Sequence, residues 1–181
     1  TIACWEWLDG ADLRAPQRHL LPRAFGELGA FHLRRRHEGP VVSPRSRRVH
    51  PSVAQLVAAE KEALLPLVEP ASRQLCAEVL DRLLLGFGTF IHGDIHPGNI
   101  IMTADGLRFV DWSLAAPSLN LLDLDYVESV PIQPQPLTWP CMLSPEADAV
   151  LATYASGCGL SAVDLRRAHL AVLLWRDIGY L

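Results

Sequence analysis

Between residues 89 and 112 the chain alternates apolar runs with turn formers in an order that leaves few folds open. Thr89-Phe90-Ile91 reads as a short strand, and His92-Gly93-Asp94-Ile95-His96-Pro97-Gly98-Asn99 is too rich in Gly, Pro and His to continue it. Ile100-Ile101-Met102-Thr103 and Leu107-Arg108-Phe109-Val110, separated by Ala104-Asp105-Gly106, then read as a β-hairpin. A loop anchored at both ends by strands can expose polar side chains without losing their positions. Three of these side chains carry chemistry: Asp94, Asn99 five residues on, and Asp111 beyond the hairpin. A carboxylate that orients a hydroxyl, with an amide oxygen and a second carboxylate that hold Mg²⁺ near a phosphate, is a set this pattern can supply. His92 and His96 read as structural hydrogen-bonding groups, because Mg²⁺ prefers oxygen. Trp112 reads as core.

The hairpin register decides whether Asn99 and Asp111 meet. A two-residue turn at Asp105-Gly106 would set Ile100 opposite Asp111 and put Asn99 and Asp111 on opposite faces. A three-residue loop, Ala104-Asp105-Gly106 with Gly106 left-handed in a bulge, sets Thr103 opposite Leu107 and Asn99 opposite Asp111. The second register is expected, since both oxygen ligands then share one face.

The rest of the chain is mostly helical by its periodicity. Leu21, Ala24, Phe25, Leu28, Phe31 and His32 fall at helical spacing over residues 16 to 36, and Gly26 and Gly29 leave room for another element to approach. Ser52-Val53-Ala54-Gln55 is a capping box opening a helix that runs to Pro66. A third helix is expected over 70 to 85 with Gly86 just past its end, and a fourth over 119 to 130 carrying Asp123, Asp125 and Glu128. Prolines 131, 134, 136 and 140 make an extended connection. Ser144-Pro145 and Ser161-Ala162-Val163-Asp164 start the last two helices. Ala3-Cys4-Trp5-Glu6-Trp7-Leu8, stopped by Asp9-Gly10, reads as a strand at the entrance. The expected fold class is mainly α with a small β-hairpin (α+β).

Composition narrows the function classes. Four scattered cysteines without a C-x-x-C pair argue against a zinc site and a disulfide scaffold, and so for reduced thiols in a cytoplasmic protein. No run of about 18 uncharged apolar residues occurs, so neither a spanning helix nor a membrane partner is expected. Residues 1 to 50 hold nine Arg against five Asp/Glu, whereas 51 to 181 hold seven Lys/Arg against fifteen Asp/Glu. The acidic second part suits metal ions and a cationic small molecule and disfavours nucleic acid. Arg34 to Arg36, with Arg45, Arg47 and Arg48, read as a solvated helix end and loop, because no aromatic residues interleave with them to stack bases.

The run from His92 to Asn99, with Val110-Asp111-Trp112, resembles the aminoglycoside phosphotransferase and choline kinase-like family, whose fold is that of protein kinases. Asp94 and Asn99 keep the D-x-x-x-x-N spacing of a kinase catalytic loop. Trp5 to Gly10 resembles the family's hinge, Leu28-Gly29-Ala30-Phe31-His32 its first large-lobe helix, and Leu122-Asp123-Leu124 its segment after the metal aspartate. The resemblance implies a C-terminal lobe over residues 1 to 181, with a hinge at 1 to 10 and a helical lobe at 11 to 181 containing the catalytic loop at 90 to 112. It implies a small-molecule kinase that moves the γ-phosphate of ATP or GTP to a hydroxyl. Asp94 would be the base, Asn99 and Asp111 the Mg²⁺ ligands, and the main chain around Glu6, Trp7 and Leu8 would meet the adenine. Asp123 reads as an acceptor for the backbone of the loop.

Two departures bear on these roles. Ser113 to Ser118 lacks the Gly-Asp-Pro run of many relatives, and no glycine-rich phosphate loop or strand lysine precedes the hinge. An N-terminal lobe of the same protein is therefore expected ahead of Thr1. The competing readings are a non-catalytic kinase-like remnant acting as a binding module, and a metal-dependent phosphoesterase. The last suffers from having only His169 as a later histidine ligand.

Overall fold

The computed structural model describes residues 9–13, 17–43, 45–125, 127 and 144–179. The entrance strand, the hinge residues Glu6, Trp7 and Leu8, Glu128 and the proline-rich connection lie outside these residues. Helix α1 (Leu21–Arg34) begins at a proline in its first turn and buries Leu21, Ala24, Phe25, Leu28 and His32 along one stripe. It packs against α4 (Ser144–Cys158), which buries Ala147, Val150, Leu151, Tyr154 and Cys158. Gly29 makes the close crossing possible: a Cβ there would lie 2.6 Å from the Tyr154 carbonyl oxygen. Thr153 ties the same crossing by donating its hydroxyl to the Pro22 carbonyl at 2.6 Å.

Helix α2 (Val53–Leu64) has the expected cap, with Ser52 Oγ accepting the Gln55 N–H at 3.3 Å. The helix expected over 70 to 85 is broken into a 3₁₀ turn, a short α3 (Arg73–Leu80) and a second 3₁₀ turn. Gly86 closes it in extended conformation (φ -81) rather than left-handed. What requires glycine there is space, since a Cβ would lie 2.6 Å from Leu119 Cδ1 and 2.7 Å from Asn120 Oδ1. Helix α5 (Ala162–Gly179) starts at Ser161, whose Oγ accepts the Asp164 N–H at 3.0 Å.

The strands form three small antiparallel sheets. β1 (Ala11–Asp12), β5 (Ile100–Thr103) and β6 (Gly106–Phe109) lie in the order β1-β5-β6. β2 (Val41–Val42) pairs with β3 (Val49–His50), and β4 (Gly88–Ile91) pairs with β7 (Ala116–Leu119). β2, β3 and β7 lack the alternation that marks a strand in sequence, and β7 with a following 3₁₀ turn at Asn120–Leu124 replaces the first part of the expected helix over 119 to 130. The β4–β7 pair runs from Gly88↔Leu119 to Ile91↔Ala116, so it clamps both ends of the segment that holds the loop and the hairpin. Among the described residues no helix is long and apolar enough to cross a membrane.

The hairpin takes neither register considered from sequence. Thr103 pairs with Gly106 and Ile100 with Phe109, leaving a two-residue turn at Ala104-Asp105. Thr103 closes this turn by donating its hydroxyl to the Gly106 carbonyl at 2.9 Å and accepting the Asp105 N–H at 3.3 Å. The unusual backbone conformation falls on Gly106 (φ 114), not on the two turn residues. The Val110 N–H to Asn99 carbonyl bond at 3.0 Å continues the pairing, so Asn99 faces Val110 rather than Asp111. The expectation that pleat alternation sets Asn99 and Asp111 on one face is thereby overturned.

Candidate active site

Strand β4 delivers the chain into a loop whose backbone is gripped from below. Asp123, fully buried, accepts the His92 N–H through Oδ2 and the Gly93 N–H through Oδ1, both at 2.7 Å. Its Oδ2 also takes His32 Nε2 at 3.1 Å. A carboxylate accepts only, so His32 Nε2 is the donor there, and its Nδ1 is hydrogen-bonded to the Tyr154 hydroxyl at 2.8 Å. Asn120 completes the chain by donating Nδ2 to the Tyr154 oxygen at 3.0 Å and accepting the Phe87 N–H at 2.8 Å. Helices α1 and α4 are thus hydrogen-bonded through Asp123 to the start of the loop. The sequence reading of Asp123 as an acceptor for that backbone matches this geometry. Tyr154 and Asn120 were not foreseen, because a tyrosine on a helix's apolar stripe gives no sign of where its hydroxyl points.

Gly93 sits at φ 83, and a Cβ there would lie 2.6 Å from the Leu114 carbonyl oxygen, so only glycine fits before Asp94. His92 is a structural hydrogen-bonding group, as expected. Its Nε2 donates to the Val110 carbonyl at 2.7 Å and its Nδ1 accepts the Asp94 N–H at 3.3 Å. One imidazole therefore joins the loop to the end of β6. His96 accepts the Gly98 N–H on Nδ1 at 3.1 Å, and its Nε2 lies 4.0 Å from Asp94 Oδ2.

Asp94 is about one quarter exposed (side chain 26%), open enough to meet a solute. Asn99 donates Nδ2 to the Asp94 carbonyl at 2.9 Å and more weakly to Asp94 Oδ2 at 3.4 Å. That commitment fixes the amide's orientation and leaves Oδ1 as an acceptor with no partner among the described residues, the kind of atom a hard cation takes.

Asp111 is exposed and left-handed (φ 58, ψ 64), a conformation uncommon outside glycine. The turn breaks the strand at this residue, so the pleat no longer dictates where its carboxylate points. Ser113 donates its hydroxyl to Asp111 Oδ1 at 2.6 Å. The Ser113 hydroxyl and backbone N–H, followed by the nearby His92 and His96, hold the Asp111 carboxyl below its ordinary range. Ser113 lies in the segment that departs from the family pattern and carries no signal of its role in sequence.

Trp112 is not core. It is 36% exposed and heads an aromatic cluster, parallel to Phe90 at 6.3 Å and edge-on to Phe31 at 5.7 Å, with the His92 ring 4.6 Å away. Its indole N–H is satisfied by the Phe109 carbonyl at 2.8 Å, which lets the ring lie at the surface without a buried unpaired donor.

Among the described residues no group of three or more His, Cys, Asp or Glu could hold a metal ion. The donors at this loop are instead one carboxylate and one amide oxygen, a set that fits Mg²⁺, which keeps waters and takes substrate phosphates as its remaining ligands.

A mostly helical α+β domain with a clamped, oxygen-bearing loop of this kind has the parts of an enzyme that acts on hydroxyl and phosphate groups. Residues 2–127, the larger part of the chain, match the model of the phosphotransferase enzyme family, and the chain belongs to that family. Membership carries a kinase-like fold and phosphotransferase chemistry, which in this family generally uses ATP and Mg²⁺. No curated protein matches the chain.

Proposed function

We propose that this chain is the C-terminal lobe of a cytoplasmic small-molecule kinase, which moves the γ-phosphate of ATP or GTP to an alcohol when joined to an N-terminal lobe. In this reading residues 1 to 10 form the hinge, with the main chain at Glu6, Trp7 and Leu8 against the adenine, and the acceptor is a small alcohol, cationic ones included, rather than nucleic acid. The supporting observation is the bonding of Asn99, which ties its amide nitrogen to Asp94 and leaves its oxygen without a partner among the described residues.

Asp94 accepts the hydrogen bond of the substrate hydroxyl and points its oxygen at the phosphorus. In a loose transfer the hydroxyl proton leaves late, so positioning matters more than basicity. Asn99 Oδ1 and Asp111 would hold Mg²⁺, which would supply charge neutralisation for the transferring phosphoryl group. His92 and Asp123 act through the backbone by fixing the loop that carries Asp94.

The test is nucleotide consumption by the full-length protein with aminoglycosides, macrolides, choline and sugar-like alcohols. With an accepted alcohol, Asp94→Ala is expected to lower turnover by a factor of about 10² or more while nucleotide binding persists. Unchanged turnover in that variant overturns the assignment of Asp94.

A further inference from the structure

The hairpin β2–β3 and one face of α2 line a pocket of about 490 Å³ whose lining includes no residue of the loop from His92 to Asn99. Its wall is organised by Glu60, which is buried although it carries a carboxylate. Ser43 Oγ donates to Glu60 Oε1 at 2.6 Å, and Trp175 Nε1 donates to Oε2 at 2.9 Å. Arg45 reaches the same Oε2 at 3.4 Å. Glu60 is therefore satisfied from its own side, and its charge serves to draw the Arg45 guanidinium to the rim.

Two groups at this pocket have no such partner. Arg48 lines it, and its guanidinium makes no hydrogen bond or ion pair among the described residues. His50 also lines it, and His50 Nε2 is a buried ring nitrogen without a hydrogen-bond partner. A buried imidazole nitrogen left bare is destabilising, and such groups persist where something else satisfies them. Ala59 and Ala63 floor the pocket with small side chains, so the cationic groups are not covered from the helix side. Two guanidiniums against one saturated carboxylate leave the pocket net positive.

We propose that this pocket binds a small oxyanion, the carboxylate or phosphate group of a small organic molecule, between Arg45, Arg48 and His50 Nε2. A planar guanidinium gives two parallel N–H donors to one such group, and an imidazole N–H supplies the third direction. The charges at these positions are those the sequence alone suggested were a solvated loop. The pocket joins them to a buried, unpaired ring nitrogen, which a solvated loop does not require.

The test is calorimetric titration of the full-length protein with inorganic phosphate and, separately, with succinate, in Mg²⁺-free buffer at constant ionic strength. Saturable binding of at least one of them is expected, and which one binds tells phosphate from carboxylate recognition. Arg48→Ala, which removes an unpartnered side chain and should leave the thermal midpoint unchanged, is expected to weaken that binding at least tenfold. His50→Ala should weaken it as well, and His50→Gln, which keeps an N–H near Nε2, should restore part of it. The proposal is overturned if neither anion binds saturably, or if Arg48→Ala binds as well as the parent chain. Neither outcome bears on Asp94, so this proposal fails or stands apart from the assignment of the catalytic loop.

Discussion

Asp123 Oδ1 accepts the Gly93 N–H at 2.7 Å, across 30 residues of chain, one position before Asp94. The same carboxylate takes the His92 N–H and the His32 ring, so three donors converge on one buried group. A loop that must hold a carboxylate in place is here held by its backbone rather than by the carboxylate itself.

Asp123→Ala leaves those three donors without their acceptor beneath the loop. The expected loss is about 3–5 kcal/mol of stability. Urea unfolding measures it as a lower midpoint. Hydrogen exchange at the Gly93 amide should accelerate more than at residues of α2, since the first effect is local. Equal exchange in both variants would show that Asp123 does not hold the loop.

Alkaline pH should expose the buried chain from Asn120 to Asp123. Burial, with smaller contributions from Cys158 and Asp123, pushes the Tyr154 phenol well above its ordinary value of 10.0, and burial raises the Cys158 thiol above 9.0. Both groups stay protonated in the folded state while the unfolded chain begins to ionise. Their contribution is therefore complete below the unfolded values and declines as pH rises towards the folded ones. For Tyr154 the slope is about 1.4 kcal/mol per pH unit within that window. Denaturant unfolding at several values between about pH 8 and about pH 11 reads this slope, and Tyr154→Phe should make it shallower above pH 10.

Gly29→Ala tests the helix crossing. Its Cβ would meet the Tyr154 carbonyl oxygen at 2.6 Å and the Cys158 N–H nitrogen at 3.1 Å, both backbone atoms of α4 that cannot swing aside. Helix propensity favours alanine by roughly 1 kcal/mol, yet overpacking of this kind costs about 1–3 kcal/mol. A net fall in the thermal midpoint is expected. A rise would mean that α1 and α4 separate more easily than the crossing suggests.

Much of this was legible in the residues because it depends on short-range rules. Ser52 caps α2 and Ser161 caps α5 as their positions suggest, and Gly26 and Gly29 do mark a close approach. Asp123 was readable as a backbone acceptor only beside the resemblance of Leu122-Asp123-Leu124 to the family's segment after the metal aspartate. The failures share a different cause, since each depended on tertiary partners. The hairpin register turned on Thr103, whose hydroxyl closes a tighter turn than Gly106 in a bulge would give. Trp112 lies at the surface because Phe109 supplies its carbonyl, and β7 exists because β4 is beside it. Glu60 gave no signal at all: a glutamate in a helix is ordinary until Ser43 and Trp175 are found at its oxygens.

The hairpin from Ile100 to Phe109 has one further consequence. Asn99 and Asp111 stand at its open end, fixed by the Val110 N–H on the Asn99 carbonyl and by the His92 ring on the Val110 carbonyl. Its closed end, Ala104-Asp105, touches neither. The tip is therefore a graft point: residues for a dye, a purification tag or a second domain can be spliced between Ala104 and Asp105, and the two oxygens at the base keep their spacing.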